Sequence, residues 1–184
     1  MDIVEHRLIQ AQQLASDNCD ERPADELISL IVIHGISLPA GHFGTPYVEQ
    51  LFCNQLDCDE HTDFTDLKAL KVSSHLFVRR NGEIIQFVPF DKRAWHAGVS
   101  SYQGREQCND FAIGIELEGV DWRNYQLAQY LVLADICIAL QQRYEIPDDA
   151  IVGHSDIAPG RKTDPGPSFD WKKLKDEIQR IKEA

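Results

Sequence analysis

Two imidazoles and a carboxylate stand where regular structure is expected to give way to irregular chain. His34 follows the apolar run 28–33 and precedes Gly35, which puts an imidazole at a strand end. His154 and Asp164 lie in residues 153–167, Gly-His-Ser-Asp-Ile-Ala-Pro-Gly-Arg-Lys-Thr-Asp-Pro-Gly-Pro. Two neutral histidines with one carboxylate are a normal catalytic zinc shell, with water in the fourth position. The residual charge of about +1 lowers that water's pKa toward about 7. Spacing alone leaves a second reading open, a capped turn with two hydrogen-bonded histidines. These residues come from separate segments, unlike the self-contained His-Glu-x-x-His helix.

A second concentration of charge lies on the segment 111–118. With a period of two, Phe111, Ile113, Ile115 and Leu117 share one face of a strand, and Ala112, Gly114, Glu116 and Glu118 share the other. The second face carries two small residues beside two carboxylates. Either it looks to solvent or something polar approaches it closely.

The elements that would position these groups are legible in outline. Residues 28–33 read as a strand buried on both faces, and 74–80 and 83–89 as strands joined at Asn81-Gly82, a two-residue hairpin signal. A short helix is expected from Pro46, a long one over 124–143, a short strand at 150–152 and a closing amphipathic helix marked by Trp171, Leu174, Ile178 and Ile181. The prolines and glycines of 153–167 argue against a regular element there. The class is therefore α/β or mixed α+β, one domain over 1–184, with a central mixed sheet flanked by helices.

Composition excludes several functions. The net charge of −12, from 18 basic and 30 acidic residues, argues against nucleic acid and against anionic membranes. No apolar run approaches the roughly 20 residues that cross a bilayer. The five cysteines, Cys19, Cys53, Cys58, Cys108 and Cys137, are odd in number and irregularly spaced, so structural free thiols are expected rather than a disulfide framework. The N-terminus has neither the basic region nor the apolar core of a secretory signal; as a full translation product the chain is expected in the cytoplasm.

Several runs resemble the family of N-acetylmuramoyl-L-alanine amidases and peptidoglycan recognition proteins. They are His34-Gly-Ile-Ser-Leu-Pro39, the stretch 87–100, Cys108-Asn-Asp-Phe111, residues 113–119 and the segments around His154 and Asp164, extending from about residue 28 to 171. The resemblance implies a zinc ion held by His34, His154 and Asp164, with Glu116 as catalytic carboxylate and Lys162 as the cation beside the scissile carbonyl. It implies hydrolysis of the amide between an N-acetylmuramyl lactyl group and L-alanine, on 1,6-anhydro muropeptides in peptidoglycan recycling. Trp95 and His96 are candidates for a sugar site, since flat rings suit sugar faces, although a core tryptophan is also expected at such positions. Lys71 and Arg105, with Arg161, are candidate partners for the peptide's carboxylates. His75 reads as a packing or supporting residue, and His6, His42 and His61 as surface histidines. Gly35 stands where the family often has asparagine, and Lys71 and Gln107 where arginines are expected, which removes the bidentate fork at both places. The competing readings are a binding module without catalysis and a general cell-wall autolysin. The full set of five polar residues favours catalysis.

Overall fold

The structure is a computed structural model and describes residues 1–183. Its centre is a six-stranded mixed sheet. In chain order the strands are β1 (Gln12–Gln13), β2 (Leu30–Ile36), β3 (Leu76–Val78), β4 (Ile84–Gln86), β5 (Ala112–Glu118) and β6 (Ile151–Gly153). They lie side by side as β6-β2-β5-β3-β4-β1. β2, β3, β5 and β6 are mutually parallel, and only the β3–β4 hairpin is antiparallel. The helices are α1 (Tyr47–Phe52), α2 (Leu127–Tyr144), α3 (His154–Ile157) and α4 (Trp171–Lys182). No helix among the described residues is long and apolar enough to cross a membrane. The mixed α/β architecture expected from the sequence is the one observed.

β5 is buried along its whole length, so neither of its faces looks to solvent. Ile113, Ile115 and Leu117 share a core with Ile31 and Ile33 of β2 and with Leu133, Ile136 and Cys137 of α2 and Leu174 and Ile178 of α4. The opposite face admits the His96 ring at its one glycine: a Cβ on Gly114 would lie 2.4 Å from Cγ of His96. Just beyond the strand, a Cβ on Gly119 would lie 2.2 Å from a ring carbon of Tyr125. Glycine is required at both places because another group already occupies the side-chain volume.

Three elements differ from the sequence expectation. The hairpin turn is longer than two residues: Arg79 and Glu83 still pair, and Gly82 takes φ +90 at the end of the loop 80–82. α2 starts at Leu127 because Gln126 is its cap, its side chain and that of Gln129 closing a reciprocal box. The segment after Gly153 opens with a helical turn, α3, rather than irregular chain. The Asp156 carboxylate accepts from the Gly153 amide at 2.7 Å, and the prolines fall beyond this turn.

Arg22 ties together the segments that meet at the amino end of β5. Its guanidinium donates to the carbonyls of Phe90, Asn109, Asp110 and Ala112 at 2.8–3.2 Å. Among the described residues no carboxylate pairs with it, and burial lowers its pKa to about 10. Arg22→Leu strands these carbonyls and is expected to cost about 2–4 kcal/mol in chemical denaturation. Arg22→Lys should recover less than half of that, since an ammonium lacks the planar spread of donors. Full stability in either variant contradicts this role.

Candidate active site

Parallel pairing sets the site at the carboxyl ends of the strands, the usual location in sheets of this kind. His34 lies opposite Glu116 in the β2–β5 register, and Gly153 lies opposite Ile33, so His154 leaves β6 beside His34. The chain then returns through residues 158–164. The Ser155 amide donates to the Asp164 carbonyl at 3.0 Å, and the Tyr125 hydroxyl donates to the Pro165 carbonyl at 2.9 Å. These bonds hold Asp164 on both sides.

The three groups converge. His34 Nδ1 is 2.9 Å from His154 Nδ1, and Asp164 Oδ2 lies 3.2 Å and 3.1 Å from these nitrogens. All three ligand atoms lie within 4.8 Å of one another. Two ring nitrogens facing at that distance are compatible only with a proton or a cation between them. Burial lowers the His34 pKa to about 4, so the ring is neutral. Burial alone would raise the Asp164 pKa, but hydrogen bonds from His154 and His34 outweigh it and hold the carboxyl below the ordinary range. A neutral His34 imidazole and an anionic Asp164 carboxylate are protonation states in which these groups can bind a divalent cation. The donor set fits zinc with a coordination position left open.

Glu116 is buried on the same face, and its Oε2 has no hydrogen-bond partner. Burial, then repulsion from Asp164, pushes its pKa well above the usual range, with Lys162 opposing. Lys162 is exposed and, among the described residues, forms no ion pair. Glu116, His154, Lys162, Asp164 and His96 line one cleft of about 240 Å³, whose far wall is Leu38, Leu51, Leu67, Leu70 and Val72.

The other expected residues fall in different places. His96 lines the cleft, but its Nδ1 is engaged at 2.9 Å by His34 Nε2. Lys71 stands on the exposed rim between two wall residues, its ammonium donating to Asn54. The Trp95 indole is half-buried and donates to Asp20 at 3.2 Å rather than lining the cleft. Arg105 does not reach the site: it stacks on Phe111, at the opposite end of β5, and pairs with Glu26 and Ser29. Its apparent nearness came from sequence position beside the Cys108–Phe111 run. Gln107 lines a separate hollow of about 550 Å³ with Gly98, Val99 and Arg161. A Cβ on Gly35 would lie 2.3 Å from the Tyr125 hydroxyl, so that hydroxyl fills the space beside His34.

His75 is buried and supporting, as expected: its Nδ1 accepts from the Gly114 amide at 3.0 Å. Of the histidines read as superficial, His61 caps the turn Thr62–Leu67 and His6 hydrogen-bonds Tyr144. Sequence reasoning did not find Tyr125 or Asn109. Asn109 lies inside a matched run, but its role is to bind backbone amides, which leaves no mark in residue spacing.

The comparisons with known proteins bear on the family and the fold. The profile of the N-acetylmuramoyl-L-alanine amidase family matches residues 23–167. The 1,6-anhydro-N-acetylmuramyl-L-alanine amidase AmpD of Escherichia coli K12 is 54% identical over 170 residues, covering 91% of this chain and 92% of that protein. A crystal structure of a selenomethionine AmpD derivative superposes with a TM-score of 0.95 at 53% identity, over 97% of this chain and 99% of the other. The E. coli amidase AmiD, in complex with the substrate anhydro-N-acetylmuramic acid-L-Ala-D-γ-Glu-L-Lys, gives a TM-score of 0.61 at 29% identity, over 88% of this chain and 66% of that one. With the fold, the matched length and the identity all in agreement, the chain belongs to the N-acetylmuramoyl-L-alanine amidase family and is an enzyme of that kind.

Proposed function

We propose that this protein is a zinc-dependent amidase that cleaves the bond between the lactyl group of a 1,6-anhydro-N-acetylmuramyl sugar and L-alanine, on muropeptides released for recycling. The observation that carries the reading is the convergence of His34, His154 and Asp164 beside Glu116 and Lys162 in a single cleft. The relatives named for activity on anhydromuropeptides support the substrate. The reading extends to the cytoplasm, a compartment that keeps unpaired thiols such as the five found here reduced.

When bound by the three ligands, zinc supplies Lewis-acid polarisation and a water of lowered pKa. The protein's own groups do the rest. Glu116 takes the attacking water's proton, and its raised proton affinity lets it carry that proton to the alanine nitrogen, which leaves as a neutral amine. The Lys162 ammonium stabilises negative charge as it develops on the carbonyl oxygen. The apolar wall from Leu38 to Val72 excludes water from one side of the substrate, which strengthens both interactions. Lys71, on the rim, is a candidate for a peptide carboxylate, and His96 and Trp95 are left with structural contacts.

Incubation of zinc-loaded protein with a purified anhydromuropeptide, followed by mass analysis, should yield free peptide and anhydro-sugar. An intact substrate rejects the proposal. Chelation should abolish turnover and lower the Tm, because a metal held only by the native state stabilises it by linkage; activity in rigorously metal-free protein contradicts this. Glu116→Gln should retain zinc and lose about 10²–10⁴-fold in kcat, and Lys162→Ala about 10²–10³-fold. Loss of zinc or unchanged turnover in either variant removes the assigned role. At matched bond concentration the soluble fragment should be cleaved much faster than insoluble wall; equal rates indicate a general wall amidase instead.

A further inference from the structure

Both metal-binding histidines turn their outer nitrogens toward two consecutive residues. His34 Nε2 lies 2.9 Å from His96 Nδ1, and His154 Nε2 lies 3.0 Å from the carbonyl of Ala97. Their inner Nδ1 atoms face Asp164. A ring that gives its Nδ1 lone pair to a cation must carry its proton on Nε2. Each Nε2–H then has one acceptor within hydrogen-bond distance, supplied by adjacent positions of the same short segment.

That segment is itself fixed. The Asn109 Oδ1 accepts from both the His96 and the Ala97 amides, at 3.1 Å and 2.8 Å. The Arg161 guanidinium donates to the Ala97 carbonyl at 2.6 Å, and the Arg22 guanidinium binds the Asn109 carbonyl at 3.1 Å. The His96 ring rests on Gly114, where a Cβ would lie 2.4 Å from Cγ, and meets the His75 ring edge-on at 5.8 Å between centroids.

We propose that His96 and Ala97, anchored by Asn109, form a clamp that selects the Nε2–H tautomer of both His34 and His154 and so presents their Nδ1 atoms together to the metal. His96 is then a positioning residue rather than a sugar-binding one, and the bare strand position Gly114 is its seat. The proposal rests on the metal reading above.

The test measures zinc affinity by competition with a chelator, and exchange-protected imidazole N–H resonances of the zinc-loaded protein by NMR. His96→Ala should weaken zinc about 10–100-fold, the usual loss for an outer hydrogen-bond partner, and remove the His34 Nε2–H resonance. His96→Asn places Oδ1 near the position of the lost Nδ1 and should restore affinity to within a few-fold and recover the resonance. Asn109→Asp, which retains the accepting oxygen, should behave as wild type, and Asn109→Leu should weaken zinc and broaden both N–H signals. Unchanged affinity in His96→Ala, or equal losses in His96→Ala and His96→Asn, overturns the clamp. Wild-type protein that binds no zinc overturns the metal reading itself, an outcome distinct from wild-type binding that the variants leave unaltered.

Discussion

The parallel pairing of β2 with β5 is the constraint from which the site follows. It fixes His34 opposite Glu116, and with β6 paired to the other edge of β2 it brings His154 to the same end of the sheet. A slip of one residue would send Glu116 to the helix-covered face and Ile115 to the cleft. The apolar alternation of Ile113, Ile115 and Leu117 against α2 and α4 prevents that slip. Hydrophobic burial on one face thus sets the geometry of polar groups on the other.

Two carboxyl groups share the cleft and are driven in opposite directions. Asp164 faces two imidazole nitrogens and is kept below the ordinary carboxylate range, whereas Glu116 has no hydrogen-bond partner on Oε2 and is pushed above that range by burial and by Asp164. Environment, not residue type, separates the two carboxyls, and on the proposed reading that is what suits one to a metal and the other to a proton. Lys162 acts against the shift of Glu116, so the cation that would stabilise the reaction's oxyanion also moderates the carboxyl's proton affinity.

Much of this was readable from the sequence. Period-two alternation in 111–118, the apolar run before His34 and the amphipathic closing helix all fall in their observed places, because each reports burial that depends on nearby residues. The helical turn at His154 was missed because its cap, Asp156 to the Gly153 amide, is a local hydrogen bond hidden among glycines and prolines. Arg105 was misplaced because chain proximity to a matched run says nothing about which end of a strand a side chain reaches. The small residues on one face of β5 left solvent exposure and close approach both open in the sequence, and only burial decides for the second. The occupant, His96, was not legible, since it arrives from a segment that pairs elsewhere.

The segments that leave the carboxyl ends of β3 and β5 are held chiefly through their backbones. The Glu118 carboxylate, itself buried, accepts from the amides of Gly44 and Arg80, and Gln129 donates to the carbonyls of Val78 and Glu118. Such bonds do not depend on which side chain the held residue carries. Arg80, whose backbone amide is held, can therefore change identity over evolutionary time while the chain keeps its path there. Drift in its side chain leaves the ends of β3 and β5, and the groups that β5 carries, where the sheet has set them.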